Sequence, residues 1–197
     1  MKIKFQYNNT ALHRLIKQLA IREGALPTLK NKESALRMEV KDARDQADLL
    51  EEKLHKEMHA YDEMVRMWGE FDEDLLAIDE VKLSAKKIAG VKTPVLEDVV
   101  FKTKPFSLFR NPAWYLDGIA ILKKLTRIAI EQEVFSRKMQ MLDYARKKTT
   151  QKVNLYEKVQ IPGFQDAILK IKRFLEDEEH LSKSSQKIVK NRKEEAA

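Results

Sequence analysis

His55 and His59 stand four residues apart, the spacing at which two imidazoles on one helix face share a metal ion. The string is His-Lys-Glu-Met-His, not the His-Glu-x-x-His of zinc proteases, and no third ligand accompanies it. His13 and His180 lie far away along the chain. Cysteine is absent, which excludes disulfides and thiolate metal sites and accords with a cytosolic location. There is no Gly-x-x-x-x-Gly-Lys phosphate loop, no Gly-x-Gly-x-x-Gly, and no nucleophile paired with a base. These residues predict no catalytic group, no metal and no cofactor. The chemistry left to the chain is apolar and ionic contact, so the elements that present those contacts carry the reading.

The foremost element is a stripe from Leu12 to Trp68. Steps of three and four residues give Leu12, Leu15, Leu19, Arg22, Leu26, Leu29, Glu33, Leu36, Val40, Ala43, Ala47, Leu50, Leu54, Glu57, Tyr61, Met64 and Trp68. Fourteen of these seventeen positions are apolar, and charged residues fill most positions between them. A 3.5-residue period held over about eight heptads marks a coiled-coil seam that needs a partner helix. Such a helix would be roughly 85 Å long at 1.5 Å per residue. Asn9 or Thr10 is placed to cap its start. Gly24 and Pro27 interrupt it, but the heptad phase continues from Leu26 to Leu29, which predicts a bend rather than an end.

The pattern changes near Gly69. Phe71, Leu75, Leu76 and Ile78 interleave with acids, as in a short amphipathic helix. Val-rich pieces on either side of Lys92-Thr-Pro94 predict a small β-hairpin. Gly90, Pro94, Pro105, Pro112 and Gly118 are half of all the Gly and Pro, so the chain turns back in this region. Phe101, Phe106, Phe109 and Trp114 nearby fit a partner-binding surface and a local minicore equally well.

Helical periodicity returns after Pro112. Ile121, Leu125, Ile128, Gln132, Phe135, Met139 and Leu142 form a second stripe, which blurs between Arg146 and Gln160. It resumes as Phe164, Ile168, Ile171, Leu175, Glu178, Leu181, Ser185 and Ile188. This is the partner the first stripe needs, and folding the chain about residue 90 brings Pro27 close to the level of Pro162-Gly163. The last residues lack a stripe and are expected to fray. The fold class is therefore mainly α: a long antiparallel two-helix coiled coil with a short central segment containing a small β-hairpin. Its divisions fall at 1–68, 69–111 and 112–197.

Length and composition agree. The 197 residues are 35% charged with only five Gly and five Pro, which favours extended helix. No run of about 18 uncharged apolar residues exists, and no signal-peptide pattern opens the chain. Residues 1–32 hold seven Lys or Arg against one acid, residues 70–80 hold six acids and no base, and residues 112–197 hold eighteen basic against twelve acidic side chains. An antiparallel fold then gathers both chain ends into a basic tip. Any one cluster taken alone is also explained as a solvated helix face. The net charge of +7 and Arg146-Lys147-Lys148 admit an alternative, a basic coiled coil that binds nucleic acid or an anionic membrane surface. Against it, acids are interleaved along most of the length, and no basic helix carries aromatic stacking positions.

Several strings resemble a known family. Leu29-Lys30-Asn31-Lys32-Glu-Ser-Ala-Leu36 is similar to a Leu-Lys-x-Lys-x-x-x-Leu segment, and Gly90-Val-Lys-Thr-Pro94 to a Gly-Val-x-x-Pro hairpin. Lys152-Val-Asn154-Leu-Tyr-Glu157, followed by Ile161-Pro162, resembles an Arg-Arg-Val-Asn-Ala-Leu-Glu then Ile-Pro string, with Gln151-Lys152 in place of the Arg pair. Together with the order of elements, these resemble the D subunit of the V-type and archaeal-type rotary ATPases. The resemblance implies a non-catalytic rotor shaft, the central stalk, that couples ATP hydrolysis or synthesis to ion translocation. It implies as partners the nucleotide-binding catalytic and regulatory subunits of the hexamer, the small F subunit of the stalk, and the funnel-like subunit of the membrane ring. It also implies a cytoplasmic location, peripheral to the membrane. On that footing Arg14, Lys17, Arg22, Lys183 and Lys187 face the hexamer. Gly90, Val91, Pro94 and Val95 form the hairpin contact, and Lys152, Asn154 and Glu157 are the motif's contact residues.

Overall fold

The computed structural model describes residues 3–62, 68–107 and 111–195. It is mainly helical. Helix α1 runs from Asn9 to His59, and a 3₁₀ turn over Glu73–Leu75 leads into strands β1 (Leu76–Ile88) and β2 (Val91–Thr103). Helix α2 (Tyr115–Leu155), a π-helical turn (Tyr156–Gln160) and helix α3 (Ile161–Glu195) follow. The chain divides into two compact units, Met1–Glu33 with Lys148–Ala197, and Ser34–Lys147. Met64 and Phe109 lie outside the described residues.

In the first unit the start of α1 packs antiparallel on the end of α2 and on α3. Leu15, Phe164, Ala167, Ile168 and Ile171 are buried, and Leu12, Leu19 and Leu175 close around them. Asn8, rather than Asn9 or Thr10, caps α1, its Oδ1 accepting from the Ala11 N–H at 2.7 Å. The extended residues before it fold back over α3: Ile3 and Phe5 join the core, and the Tyr7 ring lies 4.8 Å from that of Phe174.

Pro27 sits inside α1 without ending it. Glu23 reaches Gln165 and Lys30 reaches Glu157, so Pro27 stands opposite the stretch that holds the π turn and Pro162. The π turn has its own cause. Continuing the α2 seam from Thr149 and Val153 in steps of three and four leads to Gln160, Gly163, Ala167 and Lys170. Phe164, Ile168 and Ile171, each one residue later, fill the seam beside Ala167, while Gln160, Gly163 and Lys170 do not. A wide turn absorbs one extra residue, and the Ile161 N–H bonds to the Tyr156 carbonyl, five residues back. This also opens the helix just ahead of Pro162, whose ring would otherwise press on the carbonyl four residues back. It explains why the stripe blurs between Arg146 and Gln160.

In the second unit Leu36, Ala43 and Leu142 are buried, with Val40, Met139 and Ala145 around them. Ile88 and Val91, at the tip of the β-ribbon, join the same cluster, so the ribbon lies against the α1–α2 pair. It is larger than the sequence suggests, with 13 residues in each strand. Leu76 and Ile78 belong to β1, where they pair with Thr103 and Phe101, and not to a helix. The turn is Ala89-Gly90, both at positive φ (46° and 84°), while Lys92-Thr-Pro94 lies within β2. Gly90 takes this conformation freely, whereas Ala89 adopts it at a cost of roughly 1 kcal/mol. Trp68, Phe71, Phe106, Trp114 and Tyr115 pack ring on ring, and the buried Tyr115 donates its hydroxyl to the Glu70 carbonyl. These aromatic residues form a minicore. Gly118 lets the Trp114 ring pack close on the helix, since a Cβ there would lie 3.0 Å from that ring and push it by a few tenths of an ångström.

Leu142→Ala, at a site with no exposed surface, is expected to lose about 2–5 kcal/mol in denaturant unfolding. Pro27→Ala is expected to raise stability by up to about 3 kcal/mol, read as a higher thermal midpoint; an unchanged midpoint would show that α1 already accommodates the proline without cost.

Candidate functional site

The three polar positions in the first stripe are where the helices bind each other. Arg22 is half-buried, its Nε donating to Gln160 Oε1 at 2.6 Å and its Nη1 to the Gln18 carbonyl and Oε1 at 2.8 and 2.6 Å. Its guanidinium lies 4.5 Å from the Phe164 ring centroid and 5.9 Å from that of Tyr156, so stacking adds to the hydrogen bonds. Glu33 accepts from Thr150 Oγ1 at 3.2 Å. Glu57 binds Lys124 at 2.7 Å, and that hydrogen bond raises the Lys124 pKa.

The motif residues cluster around the π turn. Val153 is buried, Lys152 lies 6.0 Å from the Tyr156 ring centroid, Glu157 takes the Lys30 ammonium at 2.6 Å, and Asn154 is exposed. Lys30 and Glu157 join α1 to the π turn, and Arg22 binds the same turn through Gln160. Arg22 therefore works within the helix pair as well as bearing charge. Sequence reading did not single out Gln18 or Gln160, although the blurred stripe and Pro162 marked the neighbourhood of the second.

The other basic candidates are exposed. Arg14 borders an open cleft of about 490 Å³ that Ile3, Phe5, Gln18 and Phe164 also line. Lys17 and Lys187 make no ion pair among the described residues. Lys183 pairs with Glu179 at 2.6 Å, which holds that carboxyl below its ordinary range. In the second unit Arg146 and Lys147 both clasp Asp143, at 2.7 and 2.9 Å. Hydrogen bonds from Lys147 and then Arg146 lower its pKa. Among the hairpin residues Gly90 makes the turn, Val91 packs on the helices, Pro94 is half-buried opposite Ala85, and Val95 is exposed opposite Ser84.

His59 Nδ1 lies 2.9 Å from Asp62 Oδ2. Among the described residues no group of three or more His, Cys, Asp or Glu is arranged to hold a metal ion, and no helix is long and apolar enough to cross a membrane.

An antiparallel helix pair with a two-stranded ribbon inserted between its arms is the class of protein these features define. The profile of the family described as the D subunit of ATP synthase matches residues 11–191. The V-type ATP synthase D subunit of Chlamydia muridarum is 31% identical over 172 residues, covering 85% of each chain. The corresponding protein of Borreliella burgdorferi is 28% identical over 193 residues, covering 96% of this chain and 94% of its own. That of Chlamydia felis is 28% identical over 204 residues, covering 99% and 97%. The chain belongs to the ATP synthase D subunit family, and so is one component of a V-type ATP synthase complex.

Arg22→Met keeps the aliphatic bulk beside Phe164 but removes the bonds to Gln18 and Gln160. It is expected to cost about 1–3 kcal/mol, and hydrogen exchange should quicken selectively across residues 152–164. Uniform exchange and unchanged stability would make Arg22 a surface charge only.

Proposed function

We propose that this chain is the central rotor shaft of its ATPase, a non-catalytic component that couples nucleotide turnover in a surrounding hexamer to ion translocation by rotating. The observation that carries this reading is the far end of α3. From Glu176 to Glu194 every side chain is exposed, including Leu181 (70%), Ile188 (54%) and Val189 (54%). The unit's own core ends at Leu175. A helical end that bears apolar side chains among Lys183, Lys187 and Lys190 suits enclosure by a sleeve of other subunits. Exposed, salt-screened attractions to such a sleeve let a shaft turn without locking.

Paired helices supply stiffness, because a continuous seam resists local unwinding. An asymmetric shaft inside a threefold ring contacts each interface differently, and differential contact is what biases site affinities. On this reading the partners are the catalytic and regulatory nucleotide-binding subunits, the small F subunit, and the funnel-like subunit of the membrane ring. The complex would then sit on the cytoplasmic side of its membrane.

Native mass spectrometry of the chain mixed with purified nucleotide-binding subunits should give one copy per hexamer. A chain ending at Leu175 would forfeit burial of Leu181, Ile188 and Val189, each worth about 1.5 kcal/mol or more. It should therefore keep its fold by circular dichroism while hexamer binding and ATP hydrolysis in the assembly both fall. A different stoichiometry, or full turnover with the shortened chain, would sink the shaft role.

A further inference from the structure

We propose that the free chain, before it joins its complex, pairs with a second copy of itself through the exposed end of α3, the two helices running antiparallel with Leu181 of each against Ile188 of the other. The pairing concerns the chain outside the assembly and does not rest on the shaft role.

At about 100° per residue, Asp177, Leu181, Ser185, Ile188 and Arg192 fall on one face of α3, with Glu178 and Val189 at its border. All of them are exposed, so the described residues leave the two large apolar side chains uncovered. Along the face the order is acid, apolar, apolar, base. The ion pairs this segment makes within the chain lie on its other side: Lys183 with Glu179 at 2.6 Å, and Lys190 with Glu194 at 3.7 Å. Asp177, Glu178 and Arg192, which border the apolar residues, make no ion pair among the described residues.

A face of that order is its own complement only when the second copy is reversed. Turned about Ser184 and Ser185, the copy sets its Arg192 opposite Asp177 and its Ile188 opposite Leu181, and the two-fold axis repeats both contacts. Beyond them the acidic run 176–179 faces Lys190, Arg192 and Lys193. The two small serines at the centre let the backbones approach closely. A parallel copy would set Asp177 against Asp177 and Arg192 against Arg192, and like charges so placed cost affinity.

The mixed order also selects against other occupants. A nucleic acid or an anionic membrane presents one sign of charge throughout, and would meet Asp177 and Glu178 as repulsion. From Asp177 to Arg192 the face is roughly 23 Å long, too short to approach the ~1,600 Å² of a standard stable interface. The pair is therefore weak and reversible. It shields the apolar end while the chain is free and releases it on assembly.

Sedimentation equilibrium of the purified chain should show a monomer–dimer exchange with a Kd on the order of tens of micromolar, weakening as salt is raised. Arg192→Asp and Asp177→Arg each turn two attractions into repulsions, and each should weaken the dimer roughly tenfold at low salt. The variant carrying both should recover the wild-type affinity. Arg192→Asp lowers the net charge of +7 and Asp177→Arg raises it, so a loss in both excludes general repulsion between like-charged chains as the cause. Leu181→Ser should weaken the dimer at every salt concentration while helix content by circular dichroism holds. Cysteine is absent, so Leu181→Cys and Ile188→Cys chains mixed under oxidation should link faster than either alone. A chain that stays monomeric well above that concentration range would overturn the proposal, and so would a dimer indifferent to both charge reversals and to Leu181→Ser. Faster linkage of Leu181→Cys alone would overturn the antiparallel pairing. A monomer in which Leu181→Ser abolishes hexamer binding would give this face to the hexamer only, leaving the shaft role standing and the second copy refuted.

Discussion

A 3.5-residue apolar period leaves each helix with one face that only another helix can cover, and the rest of the structure answers to that need. Among the described residues most of the buried apolar side chains lie along this seam, with the aromatic minicore and the ribbon tip adding to it in the second unit. The positions where the period admits a polar residue are therefore informative. Arg22, Glu33 and Glu57 occupy seam positions, and each reaches a group on the facing helix or turn. A polar group in a seam fixes register better than it adds stability, because only one alignment brings its partner within reach. Gln160, Thr150 and Lys124 thus choose which of the many apolar alignments is used.

Much of this was legible in the sequence, because periodicity records burial directly. Leu15, Leu36, Ala43, Leu50, Leu142, Phe164, Ile168 and Ile171 stand in the two stripes, and all are buried. The stripes also foretold the antiparallel pairing. The middle of the chain was harder. Phe71 to Ile78 mixes acids and apolar residues in a way that suits helix or strand, and only pairing of Leu76 and Ile78 with Thr103 and Phe101 decides between them. Proline drew the expected turn toward Pro94, whereas the chain reverses at Ala89-Gly90. A proline is tolerated in a ribbon strand with a free edge, so its presence there marks no turn.

The candidate interaction residues were legible only as types. Composition identifies Arg22 as basic, but its hold on Gln18, Gln160 and Phe164 depends on which faces meet, and that follows from the wide turn rather than from any local string. The lysine pair at the ribbon tip was likewise invisible before the register was known, since Lys87 and Lys92 are neighbours across the strands and not along the chain. The ribbon's two bulges, near Asp79 and Glu97, lie on opposite strands. Each strand gains one unpaired residue, so the mismatch introduced by one bulge is removed by the other and the pairing from Leu83 to Val91 stays regular.

The π turn has a consequence for how chains of this kind diverge. Each residue of a helix advances the surface by about 100°, so gaining or losing one residue in an ordinary coiled coil would swing everything beyond it off the seam. Here the turn at Tyr156–Gln160 already holds one surplus residue, and its boundaries at Leu155 and Ile161 are regular α-helix. Lengthening and shortening can be absorbed at that place while the helices on either side keep their packing. The turn is a splice point within paired helices, and a one-residue gap between relatives is to be sought there before anywhere else in α2 or α3.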